Sequence, residues 1–403
     1  MKTLIGLIAT CMCLFAQDIA ACTSIIISGK ATPDGRPLMW KHRDTEVPFN
    51  HMAYFDEGGY RFLGLVNSDN TATSDVWTGS NEAGFCIMNT ASFNLKDDDV
   101  KEMDHEGKLM HQALKVCKTV QDFEHFLDTL QRPMRVEANF GVIDAFGGAA
   151  YFETKNDRYF KKDVNDTALA PKGYLIYTNF SFEGRKDEGL GYIRYDNATE
   201  IFLKMEQEGF TPQHILQKAS RSFYNHQLGI DLKNKEQSPN RANGWFVEQD
   251  MIPRSESTAA IVVQGVKSGT NPELTTLWAA PGYPPTTIAL PLWVKMGNNQ
   301  PALTSYNEAQ KTAPLCFYAS LLKDKVYPIH RGNGHKYLHW ELLWNNENNG
   351  YIQQLQDTEN KVFNLFLPHM KDWEKNGLNT EEVQRLYKEA AQIIEKEYKE
   401  LGQ

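Results

Sequence analysis

The sequence predicts an α+β layered fold with a helical tail. Short β-patterned runs separated by Gly, Asn and Asp turns extend to about residue 290. Helical periodicity appears between some of them and takes over from about Glu308. Hydrophobic residues make up 41% and aromatics 11% of the 403 residues. That is ample for a large core and excludes a disordered chain.

The chain opens with Lys2, an apolar run from Leu4 to Ala16, and Gln17-Asp18-Ile19-Ala20-Ala21. This is the pattern of a signal peptide over 1–21, and it predicts a secreted or periplasmic protein. The run is too short to span a bilayer. Thr23 to Ser28 reads as a buried strand, Pro33-Asp34-Gly35-Arg36 as a tight turn, and Leu38 to Lys41 as the returning strand. Tyr60 to Val66 and Gly84 to Asn89 read as strands. Lys108 to Leu130 reads as one helix, ended by Pro133. Asn139 to Ala145 and Ala149 to Glu153 form a hairpin around Phe146-Gly147-Gly148, with Asp144 as turn former. Tyr174 to Thr178 is a strand, Thr199 to Phe223 mostly helix, and Gly229 to Arg254 a long polar loop. Ala259 to Gln264 and Leu274 to Ala279 are strands. Thr380 to Leu401 is an amphipathic helix with Thr380 as its expected cap.

The net charge of −9, without a basic stripe, argues against nucleic acid or anionic membranes as partners. No later run has the length of a membrane span. Beyond residue 21 the cysteines are Cys22, Cys86, Cys117 and Cys316, too irregularly spaced for a zinc ribbon or a disulfide framework. One disulfide remains open. His335 and His339 would share a helix face, but no Glu follows His335, so the zinc-protease motif is absent and surface histidines are expected. Gly141 to Gly148 lacks the spacing of a dinucleotide loop.

Cys22 stands at the expected cleavage site. Cut after Ala21, it would carry a thiol and a free α-amine on one residue. An α-amine has a pKa of about 7.7–8.0, against about 10.4 for lysine. It is a usable base beside its own nucleophile. Two other readings compete. Ile19-Ala20-Ala21-Cys22 also fits a lipoprotein signal, although Gln17 and Asp18 interrupt the apolar run and a strand follows at once. A buried structural cysteine is the other.

Several stretches bear on the choice. Cys22-Thr23-Ser24 leads through Asp34-Gly35 to Lys41-His42-Arg43-Asp44. Asn81-Glu82-Ala83-Gly84 leads to Asn89. Tyr177-Thr178-Asn179 ends a strand, and Arg194 opens a helix. In this order they resemble the N-terminal-nucleophile hydrolases of the choloylglycine hydrolase and penicillin V acylase type. They also resemble the related acyltransferase-like linear amide hydrolases and cysteine dipeptidases. The resemblance runs from Cys22 to about Leu290.

The resemblance implies a four-layer αββα sandwich over 22–310, with a helical extension over 311–403 that covers the core, shapes the pocket or mediates oligomerisation. It implies Cys22 as nucleophile and Asp44 as the carboxylate that orients its amine. Lys41 falls where the family carries arginine, and Arg43 lies two residues on, so either supplies the cation. Asn89 and Asn179 would hold the oxyanion, and Arg194 would support the nucleophile. The expected activity is hydrolysis of linear amides through a thioester, on a small-molecule substrate and without cofactor or metal. A cysteine dipeptidase, an acyltransferase and a lipid-anchored binding protein stay open, as does a homo-oligomer.

Overall fold

The computed structural model describes residues 21–69, 75–234 and 244–402. Apart from Ala21, the expected signal segment lies outside the described residues.

Two antiparallel sheets form the centre. The seven-stranded sheet follows chain order: β3 (Asn50–Phe55), β4 (Phe62–Asn67), β5 (Thr78–Asn81), β6 (Cys86–Ala91), β7 (Ala138–Ile143), β8 (Ala149–Thr154) and β9 (Tyr159–Asp163). The six-stranded sheet runs β10 (Tyr174–Tyr177), β1 (Thr23–Ile27), β2 (Leu38–Asp44), β14 (Ser257–Gln264), β15 (Thr276–Pro281) and β16 (Leu290–Leu292). Two small ribbons pair β11 (Tyr224–Asn225) with β12 (Ile230–Asp231) and β13 (Trp245–Val247) with β17 (Tyr337–His339).

Strand alternation stacks the two sheets. On β1, Ser24 faces the second sheet and meets Tyr151 of β8, hydroxyl to hydroxyl at 3.0 Å. Its neighbour Thr23 turns the other way, to Arg194 of α3 (Tyr192–Met205). On β2, Lys41 and Arg43 reach Asn89 and Asn67 of the second sheet. Trp40, one residue out of phase, packs on Phe202 of α3 at 5.6 Å.

Helices cover both outer faces. α1 (Glu106–Val116) and α2 (Val120–Thr129) lie on the seven-stranded sheet, where Phe123 meets Phe152 edge-on at 5.1 Å. On the other side α3 is followed by a short turn, α4 (Pro212–His214), then by α5 (Pro314–Val326), α6 (Tyr351–Phe366), α7 (Met370–Asn376) and α8 (Thr380–Glu400). Trp278 of β15 stacks on Phe363 of α6 at 4.2 Å. The C-terminal helices therefore share the core of the six-stranded sheet. A buried pair, Arg221 with Glu359 of α6 at 2.7 Å, ties them in. The order of layers is helix, sheet, sheet, helix.

Several boundaries differ from the sequence reading. The helix expected over Lys108–Leu130 is two. Thr119 caps α2 by accepting from the Asp122 N–H at 3.0 Å, while Asp122 accepts from the Thr119 N–H at 2.9 Å. Both helices bury the same face, so the apolar period hides the break. The helix before Phe223 begins earlier, at Tyr192. The cap of α8 is Asn379, which accepts from the Glu382 N–H, and not Thr380. His335 and His339 share no helix, because a 3-10 turn gives way to β17 between them. The strands β3, β5 and β9 had no counterpart in the sequence reading. Among the described residues no helix is long and apolar enough to cross a membrane, and no group of three or more His, Cys, Asp and Glu could hold a metal ion. The four described cysteines are free and buried.

Candidate functional site

Cys22 leads directly into β1 and is 7% exposed. The β1–β2 hairpin, with Thr23 opposite His42, brings Cys22 and the Lys41–Asp44 end of β2 to one edge of the sheet. There a pocket of about 440 Å³ opens. Five of the expected site residues line it together: Cys22, Lys41, Arg43, Asp44 and Asn89.

Lys41 is buried and donates to the Trp77 carbonyl at 2.8 Å and to Asn89 Oδ1 at 2.6 Å. Burial lowers its pKa to about 8, against the opposing pull of Cys22. An ammonium can only donate. It therefore fixes the flip of the Asn89 amide, with oxygen toward Lys41 and the Nδ2 group left to the pocket. A fixed donor of this kind can receive charge developing on a carbonyl oxygen.

Asp44 turns to the opposite face of the sheet. Its Oδ1 accepts from Ser257 Oγ at 2.6 Å and its Oδ2 from Arg254 Nη2 at 2.7 Å. Burial by itself would raise the Asp44 pKa, but Arg254, His42 and Arg194 reverse this and hold the carboxyl below its ordinary range. His42 beside it is pushed down to about 4 by burial, so it is neutral near pH 7. Arg254 also lies 3.4 Å from the Ala21 carbonyl oxygen. The Asp44 carboxylate thus sits close to the peptide that joins Ala21 to Cys22.

Arg194 and Asn179 stand behind the pocket, fully buried. Arg194 donates to the Cys22 carbonyl at 2.8 Å, to Thr23 Oγ1 at 3.1 Å and to Asn179 Oδ1 at 2.8 Å. Its Nε pairs with Asp250 at 3.0 Å, and Asp250 also meets Arg254 at 3.4 Å. Asn179 Nδ2 donates to the carbonyl of Ala91, a residue of the pocket wall. Asn179 therefore holds Arg194 against the backbone of Cys22. Gly191 permits this approach: a Cβ there would lie 2.5 Å from Arg194 Nη2. Its φ of 78° is also one that glycine adopts without strain.

Arg254, Asp250 and Ser257 escaped the sequence reading. The first two lie in the polar stretch read as a loop, where no periodicity places a side chain. Arg254-Ser255-Glu256-Ser257 entering a strand was their only trace. Trp77, whose ring lies 5.1 Å from the Arg43 guanidinium, stood outside every element and motif read from the sequence.

No family model matches the chain, and no curated protein matches it. Several solved structures are similar. The Caenorhabditis elegans ortholog of N-acylethanolamine-hydrolyzing acid amidase is 13% identical, with a TM-score of 0.42, over 64% of this chain and 100% of that one. A mutant of conjugated bile acid hydrolase from Clostridium perfringens is 11% identical, with a TM-score of 0.40, over 69% and 93%. Penicillin V acylase from Agrobacterium tumefaciens is 12% identical, with a TM-score of 0.34, over 68% and 86%.

Proposed function

We propose that the protein is an amidohydrolase that cleaves linear N-acyl amides, with Cys22 as an N-terminal nucleophile. The observation that carries this reading is the placement of Cys22 in one pocket with Asn89, whose amide Lys41 orients. Removal of residues 1–21 would place the new α-amine beside Asp44, which would hold and orient it. The amine takes the thiol proton, and sulfur attacks the amide carbonyl. Asn89 Nδ2 donates to the oxyanion. The ammonium then protonates the leaving nitrogen as the C–N bond breaks, leaving a thioester. Water, giving its proton to the amine, hydrolyses the thioester and restores the thiol. Export through a signal peptide belongs to the same proposal. The burial of Cys22 at the head of β1, flanked by β10 and β2, argues against a lipid-tethered role.

The test joins intact mass and N-terminal sequencing of the exported protein to a panel of N-acyl amides. An unmodified Cys22 terminus, with turnover lost in a folded Cys22→Ala variant, supports the reading. An acylated Cys22, or full activity in Cys22→Ala, overturns it.

A further inference from the structure

The two cations on the inner face of β2 are in different states. Lys41 is satisfied by Trp77 and Asn89. Arg43 is not. Its Nη2 donates to Asn67 Oδ1 at 2.7 Å, and its guanidinium lies 5.1 Å from the Trp77 ring. Its Nη1, buried in a side chain only 4% exposed, has no hydrogen-bond partner. Among the described residues no carboxylate forms an ion pair with it. Yet Arg43 lines the same pocket as Cys22, close enough for the two to interact electrostatically. Asp69 and Asp44 act on Arg43 only from a distance, so without a contact anion much of its desolvation cost is left unmet. Held by Asn67 and Trp77, its planar fork is already set for a carboxylate.

The remaining charged lining has the opposite sign. Asp44, Asp75, Asp104 and Glu137 lie on the pocket wall, beside Glu106, whose carboxyl burial keeps protonated up to about pH 7. They would repel a second anion and so discriminate by charge count.

Resting on the function proposed above, we infer that Arg43 binds a carboxylate of the substrate, so that the enzyme selects amides bearing one carboxylate near the scissile bond. The carboxylate could belong to the leaving amine, as in an N-acyl amino acid, or to the acyl group, as in a monoamide of a dicarboxylic acid. Arg43 is then a specificity residue, and Lys41 the cation that serves the oxyanion donor.

Matched substrates test this with the mature protein: an N-acyl glycine against its methyl ester, and a succinic monoanilide against its methyl ester. One acid should exceed its ester in kcat/KM by roughly 10- to 100-fold, the worth of one charge-assisted hydrogen-bonded contact, mostly through KM. Which pair shows the preference identifies the side that bears the carboxylate. A second carboxylate, as in N-acyl aspartate, should cost most of that gain. Arg43→Gln should collapse the acid-to-ester ratio, and Arg43→Lys should restore part of it. Equal use of acid and ester by the unaltered enzyme, or a ratio that survives Arg43→Gln, overturns the inference. The wild-type series stands even if Arg43→Gln fails to fold. Binding to Cys22→Ala protein separates this inference from the catalytic proposal. Tighter binding of an acid than its ester, abolished by adding Arg43→Gln, supports the carboxylate site whatever the turnover; absence of that preference rejects it.

Discussion

Asp44 and Arg254, 210 residues apart in the chain, meet at 2.7 Å beneath the edge where Cys22 stands. Asp44 is fully buried, so its charge depends on that guanidinium and on the Ser257 hydroxyl.

Arg254→Met should therefore destabilise the fold by about 3–5 kcal/mol, the usual result of leaving one partner of a buried pair uncompensated. Urea unfolding would measure it. The folded pKa of Asp44 lies below its unfolded value, so its contribution is present above about pH 4 and lost as pH falls through the folded pKa. The gap between wild type and variant should shrink below about pH 4. A constant gap across that range would contradict the account.

On the proposed mechanism, Lys41 should set an alkaline limit on activity. Its pKa is lowered to about 8 by burial, with Cys22 and Glu106 pulling upward and Arg43 downward. Above that pH a neutral amine no longer fixes the Asn89 flip. We expect kcat/KM to fall on an alkaline limb near pH 8, and Lys41→Arg to move that limb upward by more than about one unit, since a guanidinium stays charged. An unmoved limb would assign it to another group.

Glu106 shapes stability on the acid side. Burial raises its pKa to about 7, partly offset by the Glu137 N–H that it accepts. The folded protein holds this proton more tightly than the unfolded chain does. The resulting stability is complete below about pH 4 and is lost as pH rises toward 7. Glu106→Gln keeps a neutral acceptor and should flatten that part of the stability profile. The check is a series of chemical denaturations between about pH 4.5 and 7.5.

The anchor of α6 offers a fourth test. Arg221 donates to Glu359 at 2.7 and 2.9 Å in full burial, and Glu359 also accepts from the Ala289 N–H. Arg221→Met should lower stability by about 3–5 kcal/mol, whereas the double variant with Glu359→Leu should recover part of the loss. Equal losses in single and double variants would show that the Ala289 contact, not the ion pair, dominates.

The sequence carried most of the sheet architecture and half of the site's logic. β1, β2, β6, β7 and β8 were legible because each alternates or runs apolar between turn residues. Cys22 and Asp44 sat at recognisable strand ends, and Lys41 and Asn89 fell on strands that the sequence reading ended too early. What stayed hidden depends on long-range packing. Arg254 and Asp250 are defined only by meeting β2 and α3 across the fold. β3 and β9 carry a mixed polar pattern that alternates weakly, and β5 is only four residues of Thr, Gly, Ser and Asn. The break between α1 and α2 was masked because both halves bury the same face.

On the proposed mechanism, the hydrogen bond from Arg194 to the Cys22 carbonyl would have a kinetic meaning. The first residue of a protein ordinarily frays, and a nucleophile that wanders dilutes itself. Here the carbonyl is pinned from below and β1 is flanked on both sides. Cutting the chain after Ala21 would release the amine without releasing the sulfur. The thiol would then present itself at a high effective molarity, of the kind that reaches roughly 10⁵–10⁸ M in well-oriented intramolecular reactions. Its ordering entropy is met during folding, before any substrate arrives.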